Sequence, residues 1–180
     1  MHTHGPEGEH SHKGTAFTTW LDPDLAIEQA RAITEAFVRA RPDQEEAIRG
    51  RFSDLEIDLR TLSDELQRLT TDQGGTLVLF SHPVYQYLIR RYNLRARTVH
   101  WEPDEMPTAN QWKELDELLA EHPARWMIWE ETPSPQIAAE LEKRGVESLV
   151  FGTCANAPPE GDYLSVMHQN VQQFESIFAD

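Results

Sequence analysis

Apolar positions recur at helical spacing through the first third of the chain, then give way to short apolar runs separated by amphipathic segments. Residues 23–41 place Leu25, Ala26, Ile27, Ala30, Ile33, Phe37 and Val38 on a helical repeat. Asp22 stands ready as its cap, and Pro23 occupies its first helical position. Pro42-Asp43 breaks that helix. From 43 to about 71, Ile48, Phe52, Leu55, Leu59, Leu62, Leu66 and Leu69 predict one long amphipathic helix. Its acidic first turn (Asp43, Glu45, Glu46) suits the helix dipole. With no second heptad segment to pair with, it reads as a spine helix rather than a coiled coil. Upstream, Thr15–Trp20 is a short β-prone piece.

After Gly74-Gly75 the pattern changes. Thr76–Phe80 is a continuous apolar run, the mark of a strand buried on both faces. Three more strands are expected at 96–101, 125–129 and 148–151. Helices are expected at 83–93, 107–121, 135–144 and about 161–178. Strand and helix alternate four times, which predicts an α/β fold: a four-stranded parallel sheet flanked by helices, preceded by the long spine helix. Ligands of such sheets sit at the carboxyl ends of the strands.

The 180 residues suffice for one full-sized core, and 31 acidic against 16 basic residues give a formal charge of −15. That charge repels phosphate backbones and anionic membrane surfaces, so neither nucleic acid nor direct membrane insertion is expected. A single cysteine, Cys154, excludes an internal disulfide framework and a multi-cysteine zinc site. No apolar stretch has the length needed to cross a bilayer, and no signal peptide precedes the globular part. The chain is therefore expected to be cytoplasmic, or to have an export signal upstream of the residues given.

Candidate chemistry lies in two places. The first is MHTHGPEGEHSHKG, where His2, His4, His10 and His12 form two H-x-H pairs, with Glu7 and Glu9 as possible oxygen donors. A metal-collecting loop, an expression tag and a solvated tail all remain open for this stretch on composition alone. The second is the carboxyl edge of the sheet: Ser81-His82-Pro83, then Glu102–Glu105, Glu130-Glu131-Thr132, and Gly152–Asn156. The edge is read as carrying one histidine, His82, with several carboxylates and the Cys154 thiol. A helix starting at Pro83 would keep His82 neutral, as a metal ligand, a general base or a simple cap. A Cys154–His82 nucleophilic pair has no flanking signature, and phosphate-loop, zincin and hydrolase motifs are absent.

The order of T-x-W-L-D-P, F-S-H-P-V-Y-Q-Y-L-I-R-R-Y-N-L, M-I-W-E-E-T-P-S-P-Q-I-A-A-E-L and G-D-Y-L-S-V-M-H-Q-N resembles the zinc/manganese-type solute-binding proteins of bacterial ABC transporters. The likeness runs across essentially the whole chain. It implies two α/β lobes joined by a rigid helix and clamping one Zn²⁺ or Mn²⁺. The chain then divides into a His-rich flexible loop (1–14), the tail of the first lobe (15–42), the linking helix (43–72) and the second α/β lobe (73–180). It further implies a non-catalytic, periplasmic or cell-surface protein whose partners are the metal ion and an ABC permease. His82 matches the family's ligand in the second lobe. The ligand position two residues before the tryptophan holds Thr18, and the one in the G-T-x-D turn holds Ala155, so two ligand positions read as lost. The expectation is a degenerate metal site, with Glu130, Glu131 or Cys154 as replacements if they converge. The alternative is a member that has lost metal binding and serves another ligand. Placed before W-L-D-P, the His-rich stretch matches that family's metal-gathering loop.

Overall fold

Side chains of the apolar runs point alternately to two faces of one sheet, and helices cover both faces. The structure, a computed structural model, describes residues 17–71 and 76–178. Its strands are β1 (Leu77–Phe80), β2 (Arg95–Thr98), β3 (Trp126–Trp129) and β4 (Glu147–Val150), all paired in parallel in the order β2-β1-β3-β4. The helices are α1 (Pro23–Ala40), α2 (Glu45–Thr71), α3 (Gln86–Arg91), α4 (Ala109–Glu121), α5 (Pro135–Glu142) and α6 (Tyr163–Phe178). The predicted parallel α/β sheet with a long preceding helix is thus observed. His2, His4, His10 and His12 lie outside the described residues.

Val78, Phe80, Ile128 and Leu149 pack against Leu62 and Leu66 of α2, Leu88 of α3 and Met167, Val171 and Phe174 of α6. Leu79, Met127 and Trp129 face the other way, onto Leu115 of α4 and Ile137 and Leu141 of α5. The second half of α2 is therefore core, whereas its first half pairs with α1 through Arg49–Glu35 and Arg31–Glu56. Strand β2 (RART) is a polar edge, which suits a strand with one open side.

Several boundaries differ from the sequence reading, each for a local reason. Thr19–Leu21 is a 3-10 turn rather than a strand, closed by bonds from Thr19 N to Phe17 O and from Leu21 N to Thr18 O. Helix α3 starts at Gln86, not Pro83, because Val84 N is bonded to His82 O in a tight turn. Strand β2 stops at Thr98, so Val99, His100 and Trp101 belong to the following loop. Helix α4 waits for Thr108, whose side chain and Gln111 form a capping box. Helix α5 ends at Glu142, followed by Gly145 at φ 74, a left-handed conformation that costs glycine little.

The W-L-D-P segment is fastened to the sheet's carboxyl edge residue by residue. The buried Thr18 hydroxyl donates to the Val84 carbonyl. Trp20 Nε1 donates to Thr153 O at 2.7 Å, and the Tyr163 hydroxyl donates to Trp20 O at 2.6 Å. Asp22 caps α1 by accepting from Asp24 N (3.1 Å), while the same carboxylate faces Arg90 at 3.4 Å and Arg91 at 3.7 Å. Replacing Asp22 by Ala removes a cap and the carboxylate facing both arginines. We expect Asp22→Ala to cost about 2 kcal/mol, after discounting the ion pairs for the exposure of the arginines. Asp22→Asn, which keeps the cap acceptor, should cost less than half of that in urea unfolding.

Candidate metal centre

The carboxyl edge is built by backbone pairing that continues past the strands. Ser81 N donates to Ile128 O at 2.8 Å, and Val99 N donates to Phe80 O at 2.9 Å. Trp101 N donates to Ser81 O at 2.8 Å, so the loop after β1 and the loop after β2 run side by side. In this extended stretch side chains alternate. Trp101 is 4% exposed and packs on Trp112 and Trp129 in the second core layer. Its neighbour His100 therefore turns outward and meets His82, with ring centroids 4.3 Å apart. Glu102 follows two residues on, in a loop tied to α5 by Ser134 N donating to Pro103 O at 2.7 Å.

The strand order makes this the point where the chain leaves β1 for β2 on one side and returns to β3 on the other. Open parallel sheets bind ligands in such a crevice. Candidate ligand atoms of His82, His100 and Glu102 all lie within 4.8 Å of one another. His82 Nδ1 is 3.9 Å from Glu102 Oε1 and 3.3 Å from Glu130 Oε1. The second oxygen of Glu130 accepts from Thr153 Oγ1 at 3.4 Å. A tetrahedral Zn²⁺ with bonds near ~2.1 Å separates its ligand atoms by roughly 3.4 Å. Closure thus asks for movements of about 1–1.5 Å, within the reach of the exposed His100 side chain.

Two expectations are corrected here. The edge carries two histidines rather than one, because β2 ends before His100 instead of running through it. His82 is not kept neutral by a helix end: α3 begins four residues further on, and the Glu130 carboxylate raises the imidazole's pKa above 6.5 against the opposing effect of burial. Of the carboxylates and the thiol named as replacements, Glu130 reaches His82. Glu130 also lines an open cavity of about 270 Å³, together with Glu131, Cys154, Ala155 and Asn156. Cys154 sits at φ 52, and burial pushes its thiol up, which keeps it protonated at neutral pH. Ala155 is exposed and brings no donor atom, and the Thr18 hydroxyl is committed to Val84. The signal for the missed His100 was present: in V-H-W-E the apolar Val99 and Trp101 alternate with His100 and Glu102, a period of two that turns the histidine to the side of the already named carboxylate.

Comparisons with known proteins show the chain's family and fold. Residues 1–177 match the family model described as zinc-uptake complex component A, periplasmic (ZnuA). The chain is 28% identical over 160 residues to the high-affinity zinc uptake system protein ZnuA of Bacillus subtilis (strain 168), covering 84% of this chain and 50% of that protein. Its fold is similar to the Zn(II)-bound ZnuA-like domain of Streptococcus pneumoniae AdcA, with a TM-score of 0.84 and 20% identity over 96% of this chain and 68% of that one. The metal-dependent lipoprotein YcdH from Bacillus subtilis is also similar, with a TM-score of 0.82 and 23% identity over 89% and 64% of the two chains. The chain spans about half the length of that Bacillus subtilis zinc uptake protein.

The His82–Glu130 pairing has a direct consequence in the metal-free protein. His82's folded pKa is raised, so the pair's contribution to stability is present below about pH 6.5 and fades as the pH climbs through the raised value. Proton titration followed by NMR should find His82 half-protonated above pH 6.5. In Glu130→Gln the midpoint should fall, since burial is then opposed only by the weaker pull of the Glu102 carboxylate; an unmoved midpoint would show that Glu130 does not hold it.

Proposed function

This chain belongs to the zinc-uptake complex component A family, and on that premise we propose that it is a metal-ion substrate-binding component of an ABC importer, with Zn²⁺ as cargo. The observation that carries the reading is His82. It matches the family's second-lobe ligand and stands at the sheet's crevice with a second imidazole and carboxylates around it. The net charge of −15 supports a cation as cargo. The role is capture and delivery rather than catalysis, in keeping with a protonated Cys154 thiol and the family's place in an uptake complex. The partner is the importer's membrane permease, and the location is periplasmic or at the cell surface. Among the described residues no helix is long and apolar enough to cross a membrane.

Within this reading, residues 15–42 form the tail of a first lobe and residues 43–72 the link to the second. The exposed Ile33 and Phe37 on α1 and Ile57 on α2 support a packing role for that hairpin. His2, His4, His10 and His12 act as a weak collector that raises the local metal concentration. One observation favours the other reading, a member that has given up metal for another ligand: Thr18 and Ala155 bring no ligand where the family has one.

Calorimetric titration of the whole chain separates the two. We expect Zn²⁺ to bind, with Mn²⁺ weaker because imidazole favours the borderline ion. His82→Ala should weaken Zn²⁺ at least tenfold, while replacing the four N-terminal histidines by Ser leaves a site behind. At 100 times its Kd, Zn²⁺ should stabilise the fold by about 2.7 kcal/mol. Zn²⁺ binding that disappears with the N-terminal histidines and ignores His82 would contradict the proposal.

A further inference from the structure

We infer that His100 and Glu102 are metal ligands and that, with His82, they form a Zn²⁺-class site carried wholly by the second lobe. The inference rests on the proposed cargo role and assigns the residues that fill it. In this chain two adjacent loops of one sheet edge supply the ligands, in place of the positions held by Thr18 and Ala155.

Three observations converge on it. The donors are of mixed and suitable type: two imidazoles and a carboxylate make a three-ligand zinc set that leaves a fourth position open, and they suit Zn²⁺ or Co²⁺ better than Mg²⁺ or Ca²⁺. Their placement follows from the fold, since backbone bonds from Val99 to Phe80 and from Trp101 to Ser81 lock the two loops in register. The buried Trp101 turns its neighbours His100 and Glu102 away from the core. Finally, Glu130 stands 3.3 Å from His82 Nδ1 and is held by Thr153, the arrangement by which a carboxylate orients a ligating histidine. Glu130 is a positioning residue here, acting through the ring it holds.

The side chains of His82 and Glu102 are 18% and 42% exposed. A bound ion would therefore keep one face open to water, through which it can be exchanged without opening a buried cage. The Thr18 hydroxyl is bonded to the Val84 carbonyl and is not one of the ligands.

The test uses the full chain with His2, His4, His10 and His12 replaced by Ser, so that the N-terminal stretch contributes no signal. Zn²⁺ affinity is read by competition with a chromophoric chelator, and ligand type by the visible spectrum of bound Co²⁺. We expect one equivalent of metal, at least a tenfold loss of affinity in His100→Ala and in Glu102→Gln, and a changed Co²⁺ spectrum in His100→Ala. Glu121→Gln, which removes an exposed carboxylate at the end of α4, should leave both readouts unchanged. Because His100 is exposed and Glu102 half-exposed, the metal-free variants should keep the parent's circular dichroism and melting temperature. If His82→Ala weakens binding while His100→Ala and Glu102→Gln leave affinity and spectrum unchanged, the ligand assignment is overturned and the cargo proposal stands. If this background binds neither ion, both fail.

Discussion

Backbone pairing that outruns the strands is what the functional edge depends on. Ser81 is the hinge of it: its N–H bonds to the β3 side and its carbonyl to the β2 side, so one buried residue joins the three central loops. Without that bridge His82 would sit on a loop of its own, and His100 on another with no reason to meet it. Loops normally carry functional residues on a rigid scaffold. Here the pairing reaches one residue past β1 and three past β2, which is enough to bring two imidazoles together.

The same edge is closed from the opposite side by the segment Thr18–Asp22. Trp20 holds the Thr153 carbonyl, Thr153 holds Glu130, and Glu130 holds His82. Side-chain and backbone contacts therefore run unbroken from the start of α1 to the candidate ligand. Thr18 takes part in this closure through its hydroxyl, which donates to the Val84 carbonyl.

Much of this was readable before any coordinates. The alternation of apolar runs and amphipathic segments identified all four strands and the long helix, because burial on two faces leaves a plain mark in composition. His82 was legible because it follows a buried strand directly. Glu102 was legible as a carboxylate of the sheet's edge, but His100 was not singled out, and the reason is physical: Val99 and Trp101 are apolar, so the β pattern continues through it, and only the sheet's pairing shows where the strand stops. The electrostatic surroundings of His82 were hidden for a related reason. Its nearest sequence neighbour is a proline that looks like a helix start, but its nearest charge is Glu130, some fifty residues away in the chain. Distances of that kind are set by strand order, which spacing along the chain does not reveal.

The most direct measurement of the central claim is a crystal structure of the zinc-loaded chain with anomalous diffraction collected at the zinc absorption edge. The account predicts one strong anomalous peak at the carboxyl edge, about 2.0–2.2 Å from a ring nitrogen of His82, a ring nitrogen of His100 and an oxygen of Glu102. A zinc ion bound by His82 with His100 and Glu102 turned away from it, or one found only among the N-terminal histidines, would contradict the account.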